Sequence, residues 1–426
     1  MSLKLTPELL QETSALLGDV LTFSAPADSL VSGHFRHNPK LGREQRAFMA
    51  DSIFGVLRHL RTLQWITNYP PGSRILLLAW LIKFSGMSVR ELEPATKKNE
   101  RETLAALKAA NPTTPSLAIA AEWPDWVVET LQAQRSDEEI LTLGRAMQNP
   151  APLDLRVNTI KSSRDTVLSE LAQLGIEAGP TPFSSIGIRL KGHPDLARLS
   201  LFKSGLIEIQ DEGSQLIAAL MGARRGEMVA DLCAGAGGKT LALGAAMASS
   251  GRLYAFDIHD KRLANLQQRL KRSSLSNVTP QLISSEHDTR LKRLAGKLDR
   301  VLVDAPCSGL GTVRRNPDLK YRQSPESVAE LNQKQASLIR AAAKLLKPGG
   351  RLVYATCSLL PAENQVIVQG FLVEHPNFKI LPAGEVLASQ RIPLEMGDYL
   401  EMNPVRHHTD GFFAAVLEKQ PASLGK

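Results

Sequence analysis

Cysteine is scarce in this chain. Only Cys233, Cys307 and Cys357 occur among 426 residues, an odd number with no Cys-x-x-Cys pair. That argues against a disulfide framework and a thiolate zinc site, and it fits a reducing, cytoplasmic setting. Long apolar runs are also missing. The longest candidate, from Ile75 to Ile82, is far too short for a membrane helix. The N-terminal MSLKLTPELLQETS carries acidic residues and no apolar core with a cleavage site, so it is not read as a secretory signal. His37, His59 and His259 have no partners at ligand spacing, and no metal is expected.

What is present is positive charge, unevenly placed. The net charge is +8. Residues 1–140 hold 15 Lys+Arg against 16 Asp+Glu, whereas residues 141–426 hold 36 against 27. The basic excess therefore belongs to the C-terminal two-thirds, where it would draw in a polyanion such as nucleic acid.

The length implies more than one domain. Residues 1–145 read as an all-helical bundle. Met49, Ile53, Leu57, Leu60 and Leu63 recur every three or four positions in a helix predicted over 41–66, which Tyr69-Pro70-Pro71-Gly72-Ser73 should stop. Further helices are expected at 75–84, 101–110 and 125–134. Asn149-Pro150-Ala151-Pro152 reads as a linker. Residues 146–215 follow as a small α+β region, with strands at 153–160, 186–190 and 206–209 and a helix at 164–174. From 216 to 420 short apolar strands (228–232, 252–256, 300–303, 351–355) alternate with helices. This predicts an α/β domain with a mostly parallel, doubly wound, Rossmann-like sheet. Ligands of such sheets lie beyond the carboxyl ends of the strands.

The candidate chemistry falls at those ends. Asp231-Leu-Cys-Ala-Gly-Ala-Gly-Gly-Lys-Thr240 is a Gly-rich turn opening a helix. It matches neither the Walker loop, since Cys233 stands where a glycine is needed, nor GxGxxG, since Thr240 closes it. The next strand ends at Asp257, an acid able to accept both hydroxyls of a ribose. Asp304-Ala-Pro-Cys-Ser-Gly309 and Tyr354-Ala-Thr-Cys-Ser358 end two further strands. A thiolate there can add to a pyrimidine C6 and make C5 electron-rich, with a nearby acid at N3 and a methyl donor opposite. Either cysteine alone would more readily be a buried core residue. The pair favours catalysis, provided the two sulfurs share one pocket. Arg314-Arg315 and Lys320-Tyr321-Arg322 follow closely and suggest phosphate contacts, with a solvated basic loop as the alternative.

On CAGAGGKT (233–240), FDIHDKRL (256–263), LVDAPCSGLGTVRRNPDLKYR (302–322), LVYATCSLLPAENQVIV (352–368) and DGFFAAVLEK (410–419), the chain resembles the Nol–Nop–Sun family of RNA cytosine-C5 methyltransferases. LDLRVNTIK (153–161) and IQDEGSQL (209–216) match the family's pre-catalytic region. HNPKLGREQRAFMADSIFGVLRHLR (37–61) resembles a NusB-like helical domain. The resemblance implies an S-adenosylmethionine-dependent monomer that methylates C5 of a cytosine in RNA, with small-subunit ribosomal RNA as the leading substrate. It implies that Cys357 attacks C6, that Cys307 assists release, that Asp304 meets the base N3 and the cofactor, and that Lys239 positions this group. Cys233, Ala234, Gly235, Ala236, Gly237, Gly238, Lys239 and Asp257 would hold the cofactor. Two departures stand out. The family usually has proline where this chain has Ala236. An acid that holds adenine at the end of the third strand would be Asp288 or Glu286, and Asp288 is assigned. Methylation of tRNA or DNA and a non-catalytic ribosomal assembly role are the rival readings.

Overall fold

The computed structural model describes residues 5–67, 71–111 and 114–421. The first four residues of the N-terminal stretch, and Tyr69 and Pro70 of the expected helix stop, lie outside these. The chain forms two compact units, Met1–Pro150 with Thr312–Pro325, and Ala151–Gly311 with Glu326–Lys426. The Asn149–Pro152 linker coincides with the first boundary. The segment Thr312–Pro325 leaves the sheet-containing part of the sequence and packs with the helices, which nothing in its composition announces.

The first unit is helical, as its periodicity predicts. Its core joins Leu10, Leu17, Met49, Ile53, Leu57, Leu63 and Leu77. The helix expected over 41–66 is two, Arg43–Arg58 and Leu60–Ile66, because His59 leaves helical geometry at φ −107° and ψ 20°. The His59 ring stacks on Phe84 at 4.0 Å, and burial lowers its pKa to about 4, so it stays neutral. Within the same unit, both the phosphate-contact reading of Lys320 and its solvated-loop alternative are corrected. Lys320 is buried, its Nζ donates to the Arg58 carbonyl at 3.2 Å, and burial lowers its pKa to about 8. Arg322 is tied to Asp318 at 3.5 Å. A lysine held this way is a structural anchor and does not offer its charge to a phosphate.

The second unit begins with an antiparallel sheet of β1 (Leu153–Val157), β2 (Ala178–Pro180), β3 (Gly187–Leu190) and β4 (Ile207–Ile209), in the order β2-β3-β1-β4. The helix Arg164–Gln173 covers it, capped by Ser163, and Leu155, Val157, Val167, Leu171 and Ile188 fill the space between.

The large sheet comprises β5 (Met228–Asp231), β6 (Arg252–Asp257), β7 (Val278–Leu282), β8 (Leu298–Asp304), β9 (Leu346–Thr356), β10 (Phe378–Leu381), β11 (Tyr399–Met402) and β12 (Phe412–Lys419). The order is β10-β12-β9-β8-β5-β6-β7, with β11 paired to β12. The five strands from β9 to β7 are parallel, and β12 joins β9 antiparallel. Strands such as Val301-Leu302-Val303 are apolar on both sides because helices cover both faces, and two separate apolar clusters fill those layers. The chain runs outward in opposite directions from the neighbours β5 and β8, so a cleft opens above their carboxyl ends. Among the described residues no helix is long and apolar enough to cross a membrane.

Candidate active site

Four strand ends build the site. Asp231 closes β5, Asp257 closes β6, Asp304 closes β8, and Cys357 follows β9. Above them lies a cavity of about 530 Å³, within the range of roughly 300–1,000 Å³ usual for small-molecule sites.

The Gly-rich turn forms one wall. Its conformation needs glycine at two places, Gly235 at φ +55° and Gly237 at φ +86°. A Cβ on Gly235 would meet nothing within 4 Å, which leaves room for a ligand against the backbone. A Cβ on Gly237 would stand 2.2 Å from Leu266 Cδ1, so this glycine serves close packing and is not among the cavity-lining residues. Cys233, Ala234, Gly235, Ala236, Gly238 and Lys239 do line it. Asp257, only 4% exposed, accepts from the Gly235 N–H through Oδ2 and from the His259 N–H through Oδ1, each at 2.8 Å. Each oxygen keeps a second lone pair. Burial holds the Cys233 thiol well above its usual pKa, which suits a wall residue and not a nucleophile. Beneath the turn, buried Asp231 accepts from Thr240 Oγ1 at 2.7 Å, and burial raises its pKa to about 7.

The thiols form the opposite wall. Cys307 Sγ and Cys357 Sγ are 3.4 Å apart, both line the cavity, and both are free and partly exposed. The hydrogen bond shared with Cys357, then burial, push the Cys307 thiol well above its ordinary pKa. Between the two walls, Lys239 Nζ donates to Asp304 Oδ2 at 2.8 Å. Burial alone would lower the lysine pKa, but Asp304, with Cys357 and Asp231, turns the net direction upward, so Lys239 keeps its charge.

Asp288 is placed elsewhere. Its carboxylate caps the helix Thr289–Lys292, accepting from the backbone of Arg290 at 2.8 Å and of Ser284 at 3.0 Å, and it is not among the cavity-lining residues. The lining acid from this stretch is Glu286, which accepts from Ser337 Oγ at 2.6 Å and pairs with Lys334 at 3.1 Å. Burial would raise its pKa, yet these contacts and its own backbone N–H pull it down to about 2.

Several participants escaped the sequence reading. Arg269 sits on a helix far along the chain. It binds buried Glu208 through Nε at 3.0 Å and donates from Nη1 to the Ala236 carbonyl at 2.7 Å. Glu363 is fully buried beneath both cysteine loops. Its signal was in plain view, a carboxylate inside the apolar stretch Leu359-Leu-Pro-Ala-Glu363, because an acid there must find donors.

Two family models match the chain, a 16S rRNA methyltransferase RsmB/F model over residues 218–418 and an RsmF/B-like ferredoxin-like domain over residues 123–197. A probable ribosomal RNA small subunit methyltransferase B of Synechocystis sp. is 35% identical over 308 residues, covering 71% of this chain and 68% of the relative. The ribosomal RNA small subunit methyltransferase B of Sodalis glossinidius is 30% identical over 408 residues, covering 89% and 91%. The crystal structure of PH0851 matches 98% of this chain and all of its own, at TM-score 0.81 and 25% identity. A methyltransferase homologue from Pyrococcus horikoshii matches 72% of this chain and 99% of its own, at TM-score 0.61 and 28% identity.

Proposed function

This chain belongs to the RsmB/F family of rRNA methyltransferases, and from that premise we propose that it methylates C5 of a cytosine in small-subunit ribosomal RNA, with Cys357 adding to C6. The observation that carries the reading is the 3.4 Å separation of Cys307 Sγ and Cys357 Sγ on the cavity that the Gly-rich turn also lines. The residues fit S-adenosylmethionine: open space over Gly235, spare lone pairs on Asp257 for ribose hydroxyls, and Glu286 for the adenine edge. When bound, that cofactor supplies an electrophilic methyl group.

The chain's own residues do the rest. Two sulfurs this close do not both ionise readily. A thiol held neutral at Cys307 suits proton work, which leaves addition at C6 to Cys357. Addition pushes electron density onto C5 and N3. Asp304, anchored at Oδ2 by Lys239, keeps Oδ1 for the N3 edge, where it passes the proton given up by Cys357 on to N3 and so neutralises the charge that develops there. After transfer, the C5 proton passes to water in the cleft, the electrons return to the ring, and Cys357 leaves C6 as a thiolate that recovers its proton from N3, with the Cys307 thiol assisting by donating a hydrogen bond to the departing sulfur 3.4 Å away. A cytosine reaches this cleft only when unstacked, which favours a loop or flipped nucleotide. The helical residues 1–145 and the region 146–215 would grip flanking RNA, leaving catalysis to 216–420.

Bisulfite sequencing of small-subunit ribosomal RNA, from cells with and without this gene, tests the proposal. One protected cytosine that depends on the gene and disappears with Cys357→Ala is expected. Unchanged protection in the absence of the protein would overturn it.

A further inference from the structure

Glu363 lies in the turn after β9 and is 0% exposed. A carboxylate that deep is expensive unless donors surround it, and here four do. Oε1 accepts from the Ser308 backbone N–H at 2.8 Å and from Gln335 Nε2 at 3.0 Å. Oε2 accepts from Ser308 Oγ at 2.5 Å and from Ser358 Oγ. Ser308 directly follows Cys307, and Ser358 directly follows Cys357. One carboxylate therefore ties together the two loops that carry the sulfurs.

The ties extend outward. Gln335 Nε2 also donates to the Pro306 carbonyl at 2.9 Å, and the buried Tyr354 hydroxyl donates to the Glu363 carbonyl at 2.6 Å. Asn364 Nδ2 donates to the Ser358 carbonyl at 3.0 Å, while Thr356 Oγ1 donates to Asn364 Oδ1 at 2.5 Å. The Gly311 N–H closes the circuit on the Cys357 carbonyl at 2.8 Å. Glu363 and its partners Ser308, Gln335 and Ser358 do not line the cavity, whereas Cys307 and Cys357 do.

We propose that Glu363 is a positioning residue that holds Cys307 and Cys357 in a single frame, so that attack and release are served by one fixed pair of sulfurs. The proposal rests on the roles given above to the two thiols. Its energetic logic is geometric, since a reacting group displaced by about 1 Å can lose ~100-fold in rate.

The test compares Glu363→Ala and Glu363→Gln in the full chain. Glu363→Ala should lower kcat by about a hundredfold while KM for RNA and the affinity for S-adenosylhomocysteine stay at wild-type values. Glu363→Gln keeps one acceptor oxygen and should regain part of the loss. A folded Glu363→Ala that turns over like wild type overturns the proposal, as does one that loses cofactor affinity in step with kcat. Should the alanine variant fail to fold, Ser308→Ala and Ser358→Ala each remove one hydroxyl and carry the same kcat-only test. Phenylarsine oxide, which bridges neighbouring thiols with release of water, reads the pair without RNA. Capture weakened by Glu363→Ala supports the clamp, and equal capture overturns it. Capture by a wild-type protein that methylates no cytosine would count against the reaction and leave the clamp standing.

Discussion

Cys307 Sγ lies 3.4 Å from Cys357 Sγ although the two residues follow different strands, β8 and β9. The contact follows from the parallel register that sets Asp304 opposite Ala355 and so brings both following loops to one edge of the sheet. Two thiols in contact at a cavity allow a division of labour that neither could perform alone.

Separating the roles is the first prediction. Cys307→Ala should accumulate a covalent protein–RNA adduct that survives denaturing electrophoresis, because attack proceeds and elimination stalls. Cys357→Ala should give neither adduct nor product. An adduct that needs Cys307 and not Cys357 would exchange the two roles.

Asp231 makes stability depend on pH. Its folded pKa, about 7, is above the ordinary 3.8, so the folded protein holds a proton that the unfolded chain has released. Stability from this group is complete below about pH 4 and falls as pH rises toward 7. The full difference is of order 4 kcal/mol at 1.36 kcal/mol per unit. Asp231→Asn, which still accepts from Thr240, should flatten the dependence of Tm on pH between 5 and 8 and raise Tm at the alkaline end, as read by calorimetry.

The turn at Ala236 offers a compensation test. The Arg269 guanidinium holds the Ala236 carbonyl at 2.7 Å. Arg269→Ala should weaken S-adenosylhomocysteine binding about tenfold, the scale of one charge-assisted hydrogen bond. Adding Ala236→Pro should recover part of that loss, because the ring restricts the same backbone. Calorimetric titration of the single and double variants decides it.

Gly237→Ala should be harmful for two reasons at once. The residue sits at φ +86°, and a methyl would fall 2.2 Å from Leu266 Cδ1. Left-handed geometry alone costs about 1–2 kcal/mol in a residue with a Cβ. Gly235→Ala, with open space around it, should keep a Tm nearer to wild type and lose mainly cofactor affinity.

The sequence by itself determined the class of the molecule. Apolar runs such as Val301-Leu302-Val303 alternate with amphipathic helices, and that periodicity dictates a buried parallel sheet with its notable residues at the strand ends. The Gly-rich turn, Asp257, Asp304 and the two cysteines were legible for the same reason, since each directly follows a recognisable strand. What only tertiary structure decided were relationships between distant segments. Asp288 and Glu286 are two residues apart, yet one caps a short helix while the other lines the cavity, a choice set by where the chain turns after β7. Lys320 reads in sequence as a phosphate contact or else part of a solvated basic loop, but packing buries it against the Arg58 carbonyl. Glu363 and Arg269 acquire their meaning from partners more than fifty residues away, at Ser308 and Glu208. Periodicity records whether a side chain faces water or core. It carries no information about which buried donor will meet which acceptor, because that pairing is made only when the strands and helices are assembled.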